Sequence, residues 1–538
     1  MTSRKSTVLA VAIVATASLI GGIFGYPYLS PNPPAIADLE RDLAEANELI
    51  DQNFAGEINH QRLNEETISS MLNTLDPHSQ FFPPKEFTKL HEEQASEFYG
   101  IGVSISQFRD GVYVQSVIPG TPADKVGVKY GDRFVGIDGE DARELTSAEV
   151  SGKVRGPEGS VVKVAMERAG QERPVEFTIS RGGVPSPSIR NSFMMSGGVG
   201  YIGLSGGFQE TTSDELDAAL NDLKSKGMTS LILDLRGNPG GLLTQAREVV
   251  SRFTDKGKIV VSVKGRSSYA TKDELYTSGG DLASLPLVIL VNESSASASE
   301  IVAGAMQDYD RAIIIGTGNT FGKGLVQRVF PLAGGAGMTL TIARYYTPLG
   351  RSLQRDYSNG SNYEYYLHLD ENGEPKNERP VPTGTPFVTL AGRSLFGGLG
   401  IQPDYFVEIP RGDVRRQRSQ IAAFMFARKL VSGEVSGFGN FRNDRPSYRT
   451  DVPPSETIIS DTLFGSFKSW AGTSEGGGLS AKSIDAESTY LKLRLRLELA
   501  TARHSVEAGQ RILLDEDPVL LKAIEMVSEA RRLVGINQ

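Results

Sequence analysis

Four patterns of apolar and polar positions follow one another along the chain. The first is an apolar run from Val8 to Phe24, preceded by Arg4 and Lys5. A charged start followed by an apolar stretch is the order of an export signal. The run is at the short limit for a membrane-crossing helix. Ala15-Thr16-Ala17 offers a cleavage signal inside it, so residues 1–30 read equally as a cleaved signal peptide or as an N-terminal membrane anchor. The prolines of YPYLSPNPP stop any helical continuation. The second pattern has helical spacing: Leu39, Leu43, Ala46, Leu49, Ile50 and Phe54, then Leu63, Ile68, Met71, Leu72 and Leu75. Apolar residues three and four apart line one helix face, which predicts an N-terminal helical region over 36–97.

Between Gly100 and Gly182 the period shortens to that of strands, in GVSIS, GVYVQSVI, DRFVGIDG, SVVKVAME and PVEFTI. Helical turns near Ala123 and from Leu145 to Val154 interrupt them. The segment 98–183 is therefore predicted as a small β-rich module of a size that folds alone. From 184 to 410 the order becomes α/β: VGYIGL, a helix over Ser213 to Lys226, SLILDL, a helix after Gly241, KIVVSV, PLVILV, a helix after Ala298 and RAIIIG. Strands without polar alternation are buried on both faces and need helices over the sheet. Ligands of such sheets sit at the strand carboxyl ends. Residues 411–538 open on RGDVRRQR, pass through a Gly-, Ser- and Pro-rich stretch to Gly478, and continue to the end of the chain. There YLKLRLRLELA alternates like a strand but is composed of helix formers. It is read as helix, and the extension as mainly helical.

Composition narrows the chemistry. With 56 Lys+Arg against 65 Asp+Glu, the net charge of −9 over 538 residues gives no electrostatic reason to expect nucleic acid. RGDVRRQR is accordingly read as a solvated helix start. The chain has no Cys and only five His. That excludes a thiol nucleophile, a disulfide, a Cys-ligated zinc and an iron–sulfur cluster, and leaves little histidine for catalysis.

Three α/β junctions carry candidate chemistry. In LILDLRGNPGG a buried strand runs into a turn ending at Gly240-Gly241, where glycines let backbone N–H groups face an anion. In VILVNESSASASE a strand enters small residues ahead of a helix, so a hydroxyl stands in the field of a helix N-terminus. Taken alone, that feature is more simply read as helix capping by serine. In RAIIIGTGNTFGKGLVQ, Lys323 is flanked by Gly322 and Gly324. It is not a P-loop lysine: Gly324 stands where Ser or Thr is required, and the gap from Gly318 to Gly322 is one residue short. A buried lysine loses its proton more easily and can serve as a general base, so Ser plus Lys makes a nucleophile and base without histidine.

In this order, NPGG, SASASEIVAGA and TFGKGLVQ resemble the carboxyl-terminal processing, or tail-specific, proteases, over residues 38 to 410 and with LDPHSQFF ahead of the β-rich module. The resemblance implies an α/β crotonase-like protease core over 184–410 and a serine endopeptidase that uses neither cofactor nor metal. It makes Ser297 the nucleophile, Lys323 its base and Gln327 the residue that holds the lysine amine. The N–H groups of Ala298 and Gly241 would form the oxyanion hole, with Gly240 as the fallback. GTGNTFGKG is one residue longer than the family's turn, which keeps Ser295 and Ser299 as alternatives. His78 in LDPHSQ is read as structural, and Asp234 with Arg236 as an ion pair supporting the oxyanion turn.

The module 98–183 resembles the family's PDZ domain. Its YGIGVSI matches the carboxylate loop, so Gly100, Ile101, Gly102 and Val103 would bind a substrate's terminal carboxylate, and the helix around Leu145 to Val154 would wall the groove. Arg155 or Arg168 could link a filled groove to the core, an ordinary salt bridge being the simpler reading of either. The implied protein is exported to the periplasm or cell envelope, touches a membrane only through its N-terminal segment, and cleaves protein substrates captured by their apolar C-terminal tails. Residues 411–538 are expected to meet an adaptor or a second copy. A non-catalytic PDZ scaffold or ligand-binding protein is the alternative on the same fold. Against it stand Ser297, Lys323 and Gln327, which a binder does not need. An ATP- or acyl-CoA-dependent enzyme is disfavoured by the failed P-loop and by the PDZ-like insertion.

Overall fold

The computed structural model describes residues 34–266, 273–357, 365–366, 384–409 and 414–536. The predicted export segment lies outside the described residues. Among the described residues no helix is long and apolar enough to cross a membrane. Contacts divide the chain after Thr74. The first unit contains the helices Pro34–Asn53 and His60–Asn73. The second of these begins at Asn59, whose side chain accepts the Arg62 N–H at 3.0 Å in an N-cap.

The second unit begins at Leu75. Residues 75–97, which the sequence groups with the helices, therefore belong with the larger body: Gln80–Phe82 is a strand paired antiparallel with Gly337–Thr339. Among the described residues, five apolar clusters organise this unit. The β-rich module has six strands, ordered Val103–Phe108, Gly111–Val117, Arg133–Ile137, Val161–Glu167 and Val175–Ser180, with Glu140–Asp141 beside Arg133–Ile137. Its entry and exit segments, Glu97–Gly100 and Gly182–Pro185, pair with each other.

The central sheet runs Ile189–Met194, Val199–Leu204, Ser230–Asp234, Leu287–Val291, Ile313–Gly316, Tyr405–Phe406. All neighbours are parallel except the first pair. Its four inner strands, VGYIGL, SLILD, LVILV and IIIG, are buried at every position, as their unalternating sequence requires. Helices Thr212–Ser225, Leu243–Arg252 and Ala298–Asp308 cover one face. The other face, with Tyr201, Ile232, Val288 and Ile315, is covered by Val519, Leu520, Ala523 and Leu533 of the helix Pro518–Ile536. A second, five-stranded antiparallel sheet carries Leu325–Pro331 against Gly337–Tyr346.

The C-terminal extension is thus part of the body. YLKLRLRLELA lies in the helix Ser488–Arg503, where Leu491, Leu495 and Leu499 are buried. Spacing of four, not the strand-like alternation, decided the outcome. These leucines and Phe424 form one cluster with Tyr113 and Tyr130 of the β-rich module. Phe108 stacks on Phe424 with centroids 4.6 Å apart, and buried Glu498 accepts the Tyr130 hydroxyl at 2.9 Å.

Candidate active site

The strand Leu287–Val291 ends at the carboxyl edge of the central sheet, and a turn leads to the helix Ala298–Asp308. Ser297 sits at the helix N-cap with φ 54° and ψ −112°, a backbone region that costs a non-glycine residue about 1–3 kcal/mol. Such strain at a partly exposed serine is tolerated where the surroundings fix it. They do so here: Ala296 N–H donates to the Asn238 carbonyl at 3.0 Å, and Phe321 N–H to the Ser295 carbonyl at 2.9 Å. Ser295 and Ser299 are fully buried. Their hydroxyls donate to the Leu235 and Asn238 carbonyls at 2.8 and 3.0 Å. Both hydroxyls are thereby spent on the backbone leading into and forming the NPGG turn.

The NPGG turn lies against Ser297. Gly240 has φ +100°, and a Cβ there would meet Ala296 O and Ser297 Cβ at 2.7 Å. Its N–H is spent on Asn238 Oδ1 at 2.9 Å, while its carbonyl accepts the Phe208 N–H at 2.8 Å. In a trans peptide the N–H points opposite to the C=O, so the Gly241 N–H points away from Phe208. Among the described residues neither the Gly241 nor the Ala298 N–H has a partner. Gly240, the fallback donor, is thereby engaged. Beneath the turn Arg236 grips Asp234 at 2.6 Å, the pair the sequence anticipated. It also meets Asp517 of the C-terminal extension at 2.6 Å.

Lys323 follows Gly322, whose φ of +85° makes the tight bend. Its Nζ donates to Gln327 Oε1 at 2.9 Å, and Gln327 Nε2 donates to the His78 carbonyl. Burial pushes the lysine below its ordinary pKa, against the opposing pull of Glu300 and Asp76. The loop GTGNTFGKG is tied down by Thr320 N–H to Ile401 O at 3.0 Å.

Glu300 is the organising residue that sequence reasoning passed over. Fully buried, it accepts the N–H groups of Ser297 and Lys323 on Oε2, each at 2.8 Å. On Oε1 it accepts Gly322 N–H at 2.8 Å and the Thr320 hydroxyl at 2.6 Å. Burial pushes its pKa up, and the four donors pull it down. A signal was present: Glu three residues after a serine at a helix start is half of a capping box. Beside these groups lies a cavity of about 440 Å³ whose walls include Ala296, Lys323, Gln327, His78, Phe321 and Tyr366. The tyrosine carried no advance signal.

In the β-rich module, Gly102 takes φ +86°. It precedes Val103–Phe108, which among the described residues is an edge strand paired only with Gly111–Val117. The helix Ser147–Val154 flanks it, closed by a Thr146/Glu149 capping box and tied by Ser147 N–H to Gln107 Oε1 at 2.6 Å. An unpaired edge beside a helix is the geometry that adds a peptide strand. Gly100, Ile101, Gly102 and Val103 together form the approach to that edge, and Ile101 is buried. Arg155 stacks on Phe98 at 4.0 Å and Arg168 pairs with buried Asp132 at 2.7 Å; both partners are local.

Comparison with known proteins agrees with this architecture. Residues 198–359 match peptidase family S41 and residues 100–179 match the PDZ domain. The chain is 40% identical over 299 residues to the carboxy-terminal-processing protease of Bartonella bacilliformis, covering 55% of this chain and 68% of that one. It is 34% identical over 363 residues to the carboxyl-terminal-processing protease of Synechocystis sp., covering 63% and 84%. Among solved structures, a photosystem II D1 C-terminal processing protease is 26% identical, with a TM-score of 0.36 over 68% of this chain and 86% of that one.

Proposed function

The chain belongs to the carboxy-terminal-processing protease family, serine endopeptidases of peptidase family S41 that carry a PDZ domain, and from that premise we propose that it cleaves its substrates with a Ser297/Lys323 dyad after its PDZ domain captures their C-terminal tails. The observation that carries the dyad is the shared Glu300 oxygen, which ties the backbones of Ser297 and Lys323 to one point. Desolvation lowers the Lys323 pKa and so favours its neutral, basic form. Gln327 Oε1 accepts one amine N–H, leaving the nitrogen lone pair for the serine proton.

The reaction is acyl transfer. Lys323 takes the Ser297 proton as Oγ adds to the peptide carbonyl, and the Gly241 and Ala298 N–H groups hold the oxyanion. The lysine returns the proton to the departing amine. Water then attacks the acyl-enzyme, giving a proton to Lys323, and as that second oxyanion collapses the lysine passes the proton to the departing Ser297 Oγ. Gly100, Ile101, Gly102 and Val103 hold the substrate's terminal carboxylate while its last residues pair with Val103–Phe108.

Arg4, Lys5 and the apolar run Val8 to Phe24 support export to the cell envelope, with that segment as the membrane contact. An adaptor or a second copy would dock on the surface that the C-terminal helices leave exposed after packing on the core and the PDZ domain. The test is a cleavage assay on an unfolded protein with and without an apolar tail. Cleavage should require the tail, Ser297 and Lys323; cleavage by purified Ser297→Ala would refute the dyad.

A further inference from the structure

His78 is buried beside the dyad, and its surroundings determine both its tautomer and what it does. Tyr366 donates its hydroxyl proton to the Pro77 carbonyl, which can only accept. Its oxygen, 3.3 Å from His78 Nδ1, therefore accepts from the ring. A separate chain of bonds gives the same answer from the other side. Gly324 N–H donates to Gln354 Oε1 at 2.9 Å, which fixes that amide so that its Nε2 donates to the Tyr365 oxygen at 3.2 Å. Tyr365 then turns its own proton to His78 Nε2 at 2.9 Å. Nδ1 carries the hydrogen and the Nε2 lone pair is occupied, so the ring has no free electron pair with which to act as a base.

The backbone of the same residue performs a second task. Asp76 Oδ1 accepts the N–H groups of His78 and Ser79 at 2.8 and 2.9 Å, and Oδ2 the Ser79 hydroxyl at 2.8 Å. The loop so fixed presents the His78 carbonyl to Gln327 Nε2. A carbonyl accepts only from the NH₂ end of an amide, so Gln327 is forced to turn Oε1 toward Lys323. Reversed, it would set an NH₂ against the amine and compete for the lone pair that the serine proton needs. Burial and the neighbouring lysine hold the ring down to about 4, so it stays uncharged across neutral pH.

Building on the Ser297/Lys323 reading, we propose that His78 is a positioning residue for the catalytic lysine: locked in its Nδ1–H form between Tyr365 and Tyr366, it fixes the loop whose carbonyl decides which end of Gln327 faces Lys323. His78 acts through Gln327, so the two residues share one effect. The test is a double-mutant cycle of His78→Phe and Gln327→Ala in the full chain, reading kcat, KM and melting temperature. His78→Phe should lower kcat by about tenfold or more with KM within about twofold, and the double variant should be no slower than Gln327→Ala alone. Unchanged kcat in His78→Phe, or penalties that multiply in the double variant, would overturn the proposal. If His78→Phe does not fold, Tyr365→Phe removes the donor to Nε2, together with the acceptor of Gln354 Nε2, and should lower kcat in the same direction; unchanged kcat there also overturns it. Cleavage by Ser297→Ala in the same assay would instead remove the dyad on which the proposal rests.

Discussion

Ser297 and Lys323 are joined through a single atom: Oε2 of Glu300 accepts the backbone N–H of each at 2.8 Å. The strained φ of the serine and the tight bend before the lysine are both anchored there, inside a buried site. Replacement by Gln tests this, because an amide has only one oxygen. Whichever way it turns, its NH₂ faces N–H donors, and each donor left unsatisfied costs about 1–3 kcal/mol. Glu300→Gln should therefore lose about a hundredfold in kcat, the scale of a 1 Å misplacement, and melt lower, as steady-state kinetics and thermal unfolding would report. Near-normal kcat would separate the two backbones from this carboxylate.

Gly240 allows no side chain. Its Cβ would strike Ala296 O and Ser297 Cβ, whereas one on Gly237, at φ +70°, would meet nothing within 4 Å. Both substitutions pay a left-handed backbone cost of roughly 1–2 kcal/mol, but only Gly240→Ala displaces the serine. Comparing the rates at which a fluorophosphonate labels the two variants checks this. Gly237→Ala should label at near the parental rate and Gly240→Ala at least about tenfold more slowly.

Gln327 accepts from the lysine without charging the site, and a carboxylate would not. In Gln327→Glu the nearby negative charge would stabilise the protonated lysine and raise its pKa. Activity depends on the neutral amine, so in the parent it rises with pH and its inflection falls below the ordinary lysine value of about 10.4, in line with the lowering by burial. In the variant the profile should move to higher pH, with activity lost near pH 7 and partly regained above it. An inflection that stays put would show that Lys323 is not the group being titrated.

The C-terminal extension should prove indispensable to the fold and secondary to the chemistry. Val519, Leu520 and Leu533 are buried on the central sheet, each worth about 1.5–3 kcal/mol of transfer. Leu520→Asp, or truncation near residue 410, should give insoluble or readily proteolysed protein. Asp517 caps the last helix through the Val519 N–H at 2.8 Å as well as pairing with Arg236. Asp517→Ser keeps a capping oxygen and removes the charge, so it should keep its melting temperature within a few degrees and lower kcat by less than about tenfold. A larger kinetic loss would make the extension part of the oxyanion machinery.

The sequence made the central sheet legible because SLILD and LVILV are apolar without alternation, and it singled out Ser297 and Lys323 as candidates because three unlinked segments stood in one order. It hid what depends on long-range packing. The helix in YLKLRLRLELA was readable from its helix formers, but not what its period-four leucines would pack on, since Phe424 and Tyr113 lie far off in the chain. Glu300 lay in plain view and was passed over, its bond to the Lys323 N–H reaching 23 residues along the chain. His78 read as structural because its partners Tyr365 and Tyr366 lie almost 290 residues further on.

The central claim is that Lys323 activates Ser297. Its most direct test is fluorophosphonate labelling of the full-length protein, with the modified peptide identified by mass spectrometry, in the parent and in Lys323→Met. The account predicts one adduct, on Ser297, formed faster as pH rises through the lowered lysine pKa and slowed by at least about a hundredfold without the lysine. An adduct on another serine, or undiminished labelling in Lys323→Met, would contradict it.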